Sequence, residues 1–185
     1  MNERGPESRV CPAKHGRFLV SGLRRLVQSP RKILGQYVRE GQTVADLGCG
    51  PGYFTLPMAE MVGGSGRVIA VDLQPEMLEM LGKRARAAGL KSEIQLHQCG
   101  ADAIGLKEQV DFALAFYMVH ELPDAAAFFR EVRGLLKPGG RLLVVEPKFH
   151  VTAEAFRKTE QLARAAGFER ADGPRIILSR TALLS

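Results

Sequence analysis

Asp46, three glycines at alternate positions (Gly48, Gly50 and Gly52) and a second aspartate, Asp72, are the residues whose types and spacing point most directly to chemistry. They stand in "TVADLGCGPGYF" (43–54) and near the end of "RVIAVDL" (67–73). A glycine accepts a positive φ and lets the backbone approach a ligand with no Cβ in the way. The chain after Gly52 reads as a helix, whose first turn offers unpaired N–H groups and the positive end of the helix dipole. Such a loop cradles a phosphate, a dinucleotide or another nucleotide-like ligand. No Gly-Lys-Ser/Thr follows the glycines, which excludes a P-loop, and the spacing is not the GxGxxG of a dinucleotide fingerprint. Asp46 beside the loop disfavours a pyrophosphate and favours a ligand with an ammonium or sulfonium group. Asp72 lies 22 residues beyond Gly50, where a carboxylate ending a strand accepts both hydroxyl hydrogens of a ribose. It also reads as a cap of the helix that begins near Pro75, and the two roles are compatible.

The elements that must hold these residues follow from pattern. Residues 44–47, 67–73, 93–99, 110–118 and 141–146 read as strands, the fourth as a nearly continuous apolar run suited to the centre of a parallel sheet. Helices are expected over 53–62, over 75–88 with Gly89 as the stop, over 124–136 before "KPGG", and from the cap Thr152 to Ala166. Upstream, Phe18, Leu19, Leu23, Leu26 and Val27 share one helical face, and "SPRKILGQYV" reads as a second helix capped by Ser29 and ended by Gly41. The tail after Gly167 can close as an antiparallel hairpin. Strands alternating with helices imply an α/β, Rossmann-like doubly wound sheet preceded by N-terminal helices. The ligand then lies outside the carboxyl ends of the central strands. One cleft collects the 46–52 loop, Asp72, the segment after Gln98 and the 116–121 stretch.

"VADLGCGPGYFT", "VIAVDLQPEML" and "LLKPGGRLLVVEP", in that order, resemble the motifs of class I S-adenosylmethionine-dependent methyltransferases. The small-molecule branch typified by ubiquinone/menaquinone-biosynthesis methyltransferases looks most similar, and the resemblance covers roughly residues 33–185. It implies seven strands with the last antiparallel, S-adenosylmethionine as cofactor and S-adenosylhomocysteine as product. It also implies a cofactor site of Asp46, Gly48, Cys49, Gly50, Tyr53, Asp72, Leu73, Gly100, Ala101, Asp102 and Phe116, with the methionine moiety over Gly48 to Gly50, the ribose on Asp72 and the adenine against Leu73 and the turn from Cys99 to Ala101. Relatives often carry an acidic residue just after the third strand for the adenine amino group. Here Asp102 stands a position or two away, so the backbone of Gly100 and Ala101 remains an alternative.

Methyl transfer from a sulfonium is an in-line displacement, so positioning carries much of the barrier. A hydroxyl or ammonium nucleophile also needs a base within hydrogen-bond reach. "AFYMVHELPD" (115–124) leaves the fourth strand at the mouth of the cleft and offers Tyr117, His120 and Glu121; His120 either serves as the base or packs against the next helix. "EPKFH" (146–150) offers Glu146 and His150 as substrate-facing groups, with Lys148 free to pair with Glu146. Cys11 and His15, four residues apart, would suit a metal on a helix, but no metal is expected.

The chain has 185 residues, of which 45% are hydrophobic and 25% charged, as in one ordinary globular domain without a membrane span or secretory leader. Three cysteines with no CxxC pair suit reduced thiols in a cytoplasm. The net charge of +6 is uneven: residues 1–39 carry +7 and the remainder −1. The expected organisation is a basic arm and amphipathic helix over 1–28 and a methyltransferase domain over 29–185. The arm reads as a solvated segment, as a lid over the reacting methyl, as a contact with a membrane surface for a lipid substrate, or as a contact with an anionic substrate or nucleic acid. The leading function is methyl transfer from S-adenosylmethionine to a small-molecule acceptor. RNA or protein methylation is the alternative, disfavoured by the lack of an RNA-binding module. A non-catalytic S-adenosylmethionine-binding protein is the alternative outside catalysis.

Overall fold

The computed structural model describes residues 28–185. Cys11, His15 and the 18–27 helical face lie outside the described residues. A short helix, α1 (Pro30–Leu34), leads into β1 (Thr43–Leu47), and strand and helix then alternate. They are α2 (Thr55–Val62), β2 (Arg67–Asp72), α3 (Pro75–Ala87), β3 (Ile94–Gln98), β4 (Val110–Phe116), a 3-10 turn (Val119–Glu121) and α4 (Ala125–Leu135). The chain closes with β5 (Leu136–Pro147), α5 (Ala153–Ala165), β6 (Arg170–Ala171) and β7 (Ser179–Leu184). Among the described residues the strands form one seven-stranded sheet in the order β3-β2-β1-β4-β5-β7-β6. The first five pair in parallel, and β7 joins β5 and β6 antiparallel. The strand order reverses between β1 and β4, which opens a crevice at their carboxyl ends.

Side-chain alternation along the strands fills both faces of the sheet. On β4, Phe112, Leu114 and Phe116 pack with Met58, Val62 and Leu81 of α2 and α3, whereas Ala113 and Ala115 pack with Phe129, Val132 and Phe156 of α4 and α5. Burying side chains such as Leu81, Phe112 and Phe129 stabilises the fold by roughly 1.5–3 kcal/mol each. Two helix starts are fixed by side chains: Asp124 accepts from Ala127 N at 2.8 Å, and Thr152 accepts from Ala155 N at 3.1 Å.

Three boundaries differ from the sequence reading, each for a local reason. The helix expected to run to Gly41 ends at Leu34, because Gly35 is a weak helix former and the next residues are drawn onto the sheet. There Tyr37 stacks on Phe112 with ring centroids 5.7 Å apart. Helix α2 begins at Thr55 rather than at Tyr53, since Gly52 at φ 85° cannot belong to a helix. "KPGG" does not stand outside the fifth strand but is folded into it, between the pairs Val110↔Leu136 and Phe112↔Arg141. Gly139 at φ 77°, and Gly140, whose added Cβ would fall 2.9 Å from the Lys137 carbonyl oxygen, permit that irregular pairing.

Gly52 serves packing rather than ligand approach. A Cβ there would lie 2.3 Å from Cδ1 of Leu81, a fully buried side chain of α3 with nowhere to turn. Gly52→Ala combines this overlap with left-handed backbone strain and is expected to cost about 2–4 kcal/mol. Urea unfolding measures it, and a loss below about 0.5 kcal/mol, the scale of a neutral surface change, would show that the loop yields freely.

Candidate active site

The glycine loop is built from backbone donors over the end of β2. Gly48 N and Cys49 N both donate to the Val71 carbonyl, each at 2.9 Å, so the chain leaving β1 folds across its neighbour. Gly48 takes φ 71° and Gly50 φ 51°. A Cβ on Gly48 would stand 3.0 Å from the Met118 side chain, so the glycine lets β1 and the turn after β4 approach closely. Gly50 N then donates to Asp72 Oδ2 at 2.8 Å, while Asp72 Oδ1 accepts from Gln74 N at 2.9 Å. Asp72 thus ties the loop to Gln74, the residue before α3, but it does not cap that helix, because no side chain among the described residues bonds the N–H groups of its first turn. Burial pushes its carboxyl above the usual carboxylate range, against the backbone N–H donors of Gln74, Gly50 and Leu73.

Asp46 is 2% exposed, and it accepts a hydrogen bond from Thr55 Oγ1 at 2.6 Å, which joins β1 to the first residue of α2. Burial and the Asp46 and Asp72 carboxylates push the Cys49 thiol well up; burial and Asp72 push Cys99 up. Both thiols remain protonated at neutral pH, so neither supplies a thiolate nucleophile.

These groups wall a cavity of about 550 Å³, within the ~300–1,000 Å³ of small-molecule sites. Asp46, Gly48, Cys49, Gly50 and Tyr53 line it from the loop, and Asp72 and Leu73 from the end of β2. Gly100, Ala101 and Asp102 line it from the segment after β3, and Phe116 from the end of β4. Every residue expected at a cofactor is therefore on one surface. An aromatic run leads from the loop to the rim: Tyr53–Phe54, Phe54–Phe116, Phe116–Tyr117 and Tyr117–Phe149, with centroid separations of 5.1, 4.3, 4.5 and 6.4 Å. Phe149, at its outer end, is 70% exposed. Tyr117 holds φ 63°, unusual for a residue with a Cβ. Its N–H donates to Val145 O at 2.8 Å, and its hydroxyl lies 2.6 Å from both Gln28 Nε2 and Ser179 Oγ.

Of the residues expected near the acceptor, Tyr117 and Glu121 line the cavity, whereas His120, Glu146 and His150 do not. His120 Nδ1 lies 2.5 Å from Glu146 Oε2, and its backbone N–H donates to Oε1 at 3.3 Å. Glu146, 1% exposed, is thus paired with His120 and not with Lys148, which is exposed. The His150 ring lies 5.9 Å from that of His120. Because a carboxylate only accepts, Nδ1 carries the hydrogen, and Nε2 is the basic nitrogen of the neutral ring. The bond to Glu146 raises the His120 pKa, burial opposes it, and the Glu146 and Glu121 charges add to the rise.

Sequence reasoning missed Phe54, Met118 and Glu131, all of which line the cavity. Phe54 and Met118 adjoin the motifs and look like ordinary core residues. Glu131 belongs to a helix face with no motif, and its partners are distant backbone amides.

A glycine loop pinned by the carboxylate of the next strand, at the switch point of a seven-stranded sheet with an antiparallel end, defines the class I S-adenosylmethionine-dependent methyltransferases. Residues 44–140 match the family model described as a methyltransferase domain, and the chain belongs to that family. Over 110 residues, 59% of this chain, it is 36% identical to the ubiquinone/menaquinone biosynthesis C-methyltransferase UbiE of Enterobacter sp. strain 638. Over the same length it is 34% identical to a demethylmenaquinone methyltransferase of Lactobacillus johnsonii. The matched part is 44% and 45% of those proteins, so the chain spans less than half the length of the curated relatives it matches. The fold is shared with a SAM-dependent methyltransferase from Aquifex aeolicus at TM-score 0.85 and 23% identity, over 95% of this chain and 98% of that one.

The pairing of His120 with Glu146 carries a pH dependence. With its pKa raised by folding, His120 contributes stability fully below its ordinary value of 6.5 and loses it as pH rises through the raised value. The stability gap between the wild type and His120→Gln should therefore be larger at pH 6 than at pH 9. Denaturant unfolding at both values checks this, and a gap that widens with pH would contradict the assigned pairing.

Proposed function

We propose that the protein transfers a methyl group from S-adenosylmethionine to a small apolar acceptor with a planar ring, of the kind on which quinone-biosynthesis methyltransferases act. The observation that carries the reading is Asp72: its carboxylate closes the glycine loop and also faces the cavity, at the place where a ribose would meet it. Gly48 and Gly50 would then lie under the methionine part, with Leu73 and the 100–102 backbone against the adenine. S-adenosylmethionine supplies a methyl group activated by its sulfonium sulfur. The residues present suit that group, because Asp46 and Asp72 bring carboxylates to the glycine-loop side of a wall that also carries Asp102, Glu121, Asp124 and Glu131 and, among the described residues, no Lys or Arg.

The aromatic run from Tyr53 to Phe149 supports a ring-shaped acceptor, since such faces stack and orient a planar molecule. Phe54, Phe116 and Tyr117 would hold the acceptor in line with the methyl group and keep water out. His120 is not on the cavity wall but lies in the chain between Met118 and Glu121, which are; when the acceptor must lose a proton, His120 Nε2, held in the required tautomer by Glu146, would take it through one intervening water. His150 would border the same end. Gln28 accepts from the Tyr53 hydroxyl through its carbonyl at 2.9 Å and donates to Tyr117, so Gln28 itself is fastened at the acceptor end. This favours residues 1–28 as the cover of that end, or as its contact with a membrane when the acceptor is a lipid. No helix among the described residues is long and apolar enough to cross a membrane, and the free thiols of Cys49 and Cys99 support a cytoplasmic setting.

Calorimetry tests the donor. The protein should bind S-adenosylmethionine and not NAD, and Asp72→Ala should weaken binding by more than tenfold; NAD binding, or unchanged affinity in the variant, would overturn the reading. Turnover should rise as pH passes through the raised His120 pKa, because only the neutral ring accepts a proton. His120→Gln should remove that rise, and a pH profile unaltered by the substitution would exclude His120 as the proton acceptor.

A further inference from the structure

The part of the cavity wall that follows β3 has no regular secondary structure, yet it is fastened from several directions. Cys99 N donates to Asp72 O at 3.1 Å, and Gly100 N to Ala103 O at 3.0 Å. His97 Nε2, on β3, lies 2.7 Å from Ile104 O, so that nitrogen carries the hydrogen. From α4, Glu131 places one oxygen on each of two successive amides: Oε2 accepts from Ile104 N at 2.9 Å, and Oε1 accepts from Gly105 N at 2.7 Å. Gly105 takes φ 73°, a backbone state that lets neighbouring N–H groups converge on one anion. Ile104 and Glu131 both line the cavity, as do residues 99–103 between these fastenings.

We propose that Glu131 is a positioning residue of the cofactor site, a carboxylate clamp that fixes the 99–105 segment against which the purine rests. The proposal rests on the reading of the cavity as a S-adenosylmethionine site. The clamp needs two acceptors, because it receives two N–H donors. An isosteric amide supplies one acceptor and one donor, so Glu131→Gln leaves one backbone N–H facing an NH2 group. The segment would then sample positions in which its backbone no longer meets the purine edge. Chemistry at the methyl group, on the other side of the ribose, would be untouched once the cofactor is bound.

The test uses the full chain with S-adenosylhomocysteine as probe. Glu131→Gln should weaken its binding at least tenfold by calorimetry. It should also speed hydrogen exchange of the Ile104 and Gly105 amides at least tenfold, with β1 and β4 amides unchanged. In turnover, KM for S-adenosylmethionine should rise while kcat at saturation stays within twofold. Affinity within twofold of wild type, unchanged exchange at the two amides, or a fall in kcat with KM unaltered would each overturn the proposal. Should Glu131→Gln not fold, His97→Ala reaches the same segment through Ile104 O and should weaken binding at least threefold; unchanged affinity there would count against the clamp. A wild-type protein that fails to bind S-adenosylhomocysteine would instead overturn the cofactor reading, whereas normal wild-type binding with a normal variant would remove the clamp alone.

Discussion

Asp72 sets the geometry of the cavity. One oxygen holds Gly50 N and the other holds Gln74 N, so a single carboxylate joins the loop after β1 to the start of α3. A buried carboxylate is tolerated only when its lone pairs are met by donors. The loop meets that demand with its own backbone, which requires the left-handed turns at Gly48 and Gly50. Those turns bring the chain over Val71 and against Met118. The crevice between β1 and β4 is thereby given a floor, and the floor carries negative charge.

The same principle recurs at three other carboxylates. Asp46 accepts from Thr55 and fixes the start of α2; Glu131 holds two amides of the segment after β3; Glu146 holds the ring and backbone of His120. In each case a strand or helix side chain fastens a neighbouring element: the first residue of α2, the segment after β3 and the turn after β4. The loops around the cavity are therefore positioned by charge-assisted hydrogen bonds, while the sheet beneath them is held by apolar packing on both faces. This division suits a site that must keep an exact shape in its walls and yet admit and release small molecules.

What was legible in the sequence follows from which interactions leave a pattern. Alternating glycines and a carboxylate 22 residues on constrain backbone geometry directly, so the loop, Asp72 and the strand-helix alternation could be read from spacing. The antiparallel end of the sheet came from resemblance, and the pairing of β7 with β5 bears it out. Tertiary packing leaves no such mark. The early end of α1 accompanies the stacking of Tyr37 on Phe112, and the room that Leu81 takes beside Gly52 is seen only in the folded chain. Gly52 looked like a third ligand-approach glycine because its conformation is the same; only its neighbour reveals its use. Glu131 was invisible because it recognises main-chain amides, which every residue has. His120 and Glu146 were singled out separately, and their pairing emerged only when β4 and β5 were brought side by side.

The most direct measurement of the central claim is a crystal structure of the protein with S-adenosylhomocysteine bound. The ribose hydroxyls should lie within hydrogen-bond distance of the Asp72 carboxylate, the adenine between Leu73 and the 100–102 backbone, and the sulfur toward Tyr117. A ligand bound elsewhere, or one whose ribose does not touch Asp72, would contradict it.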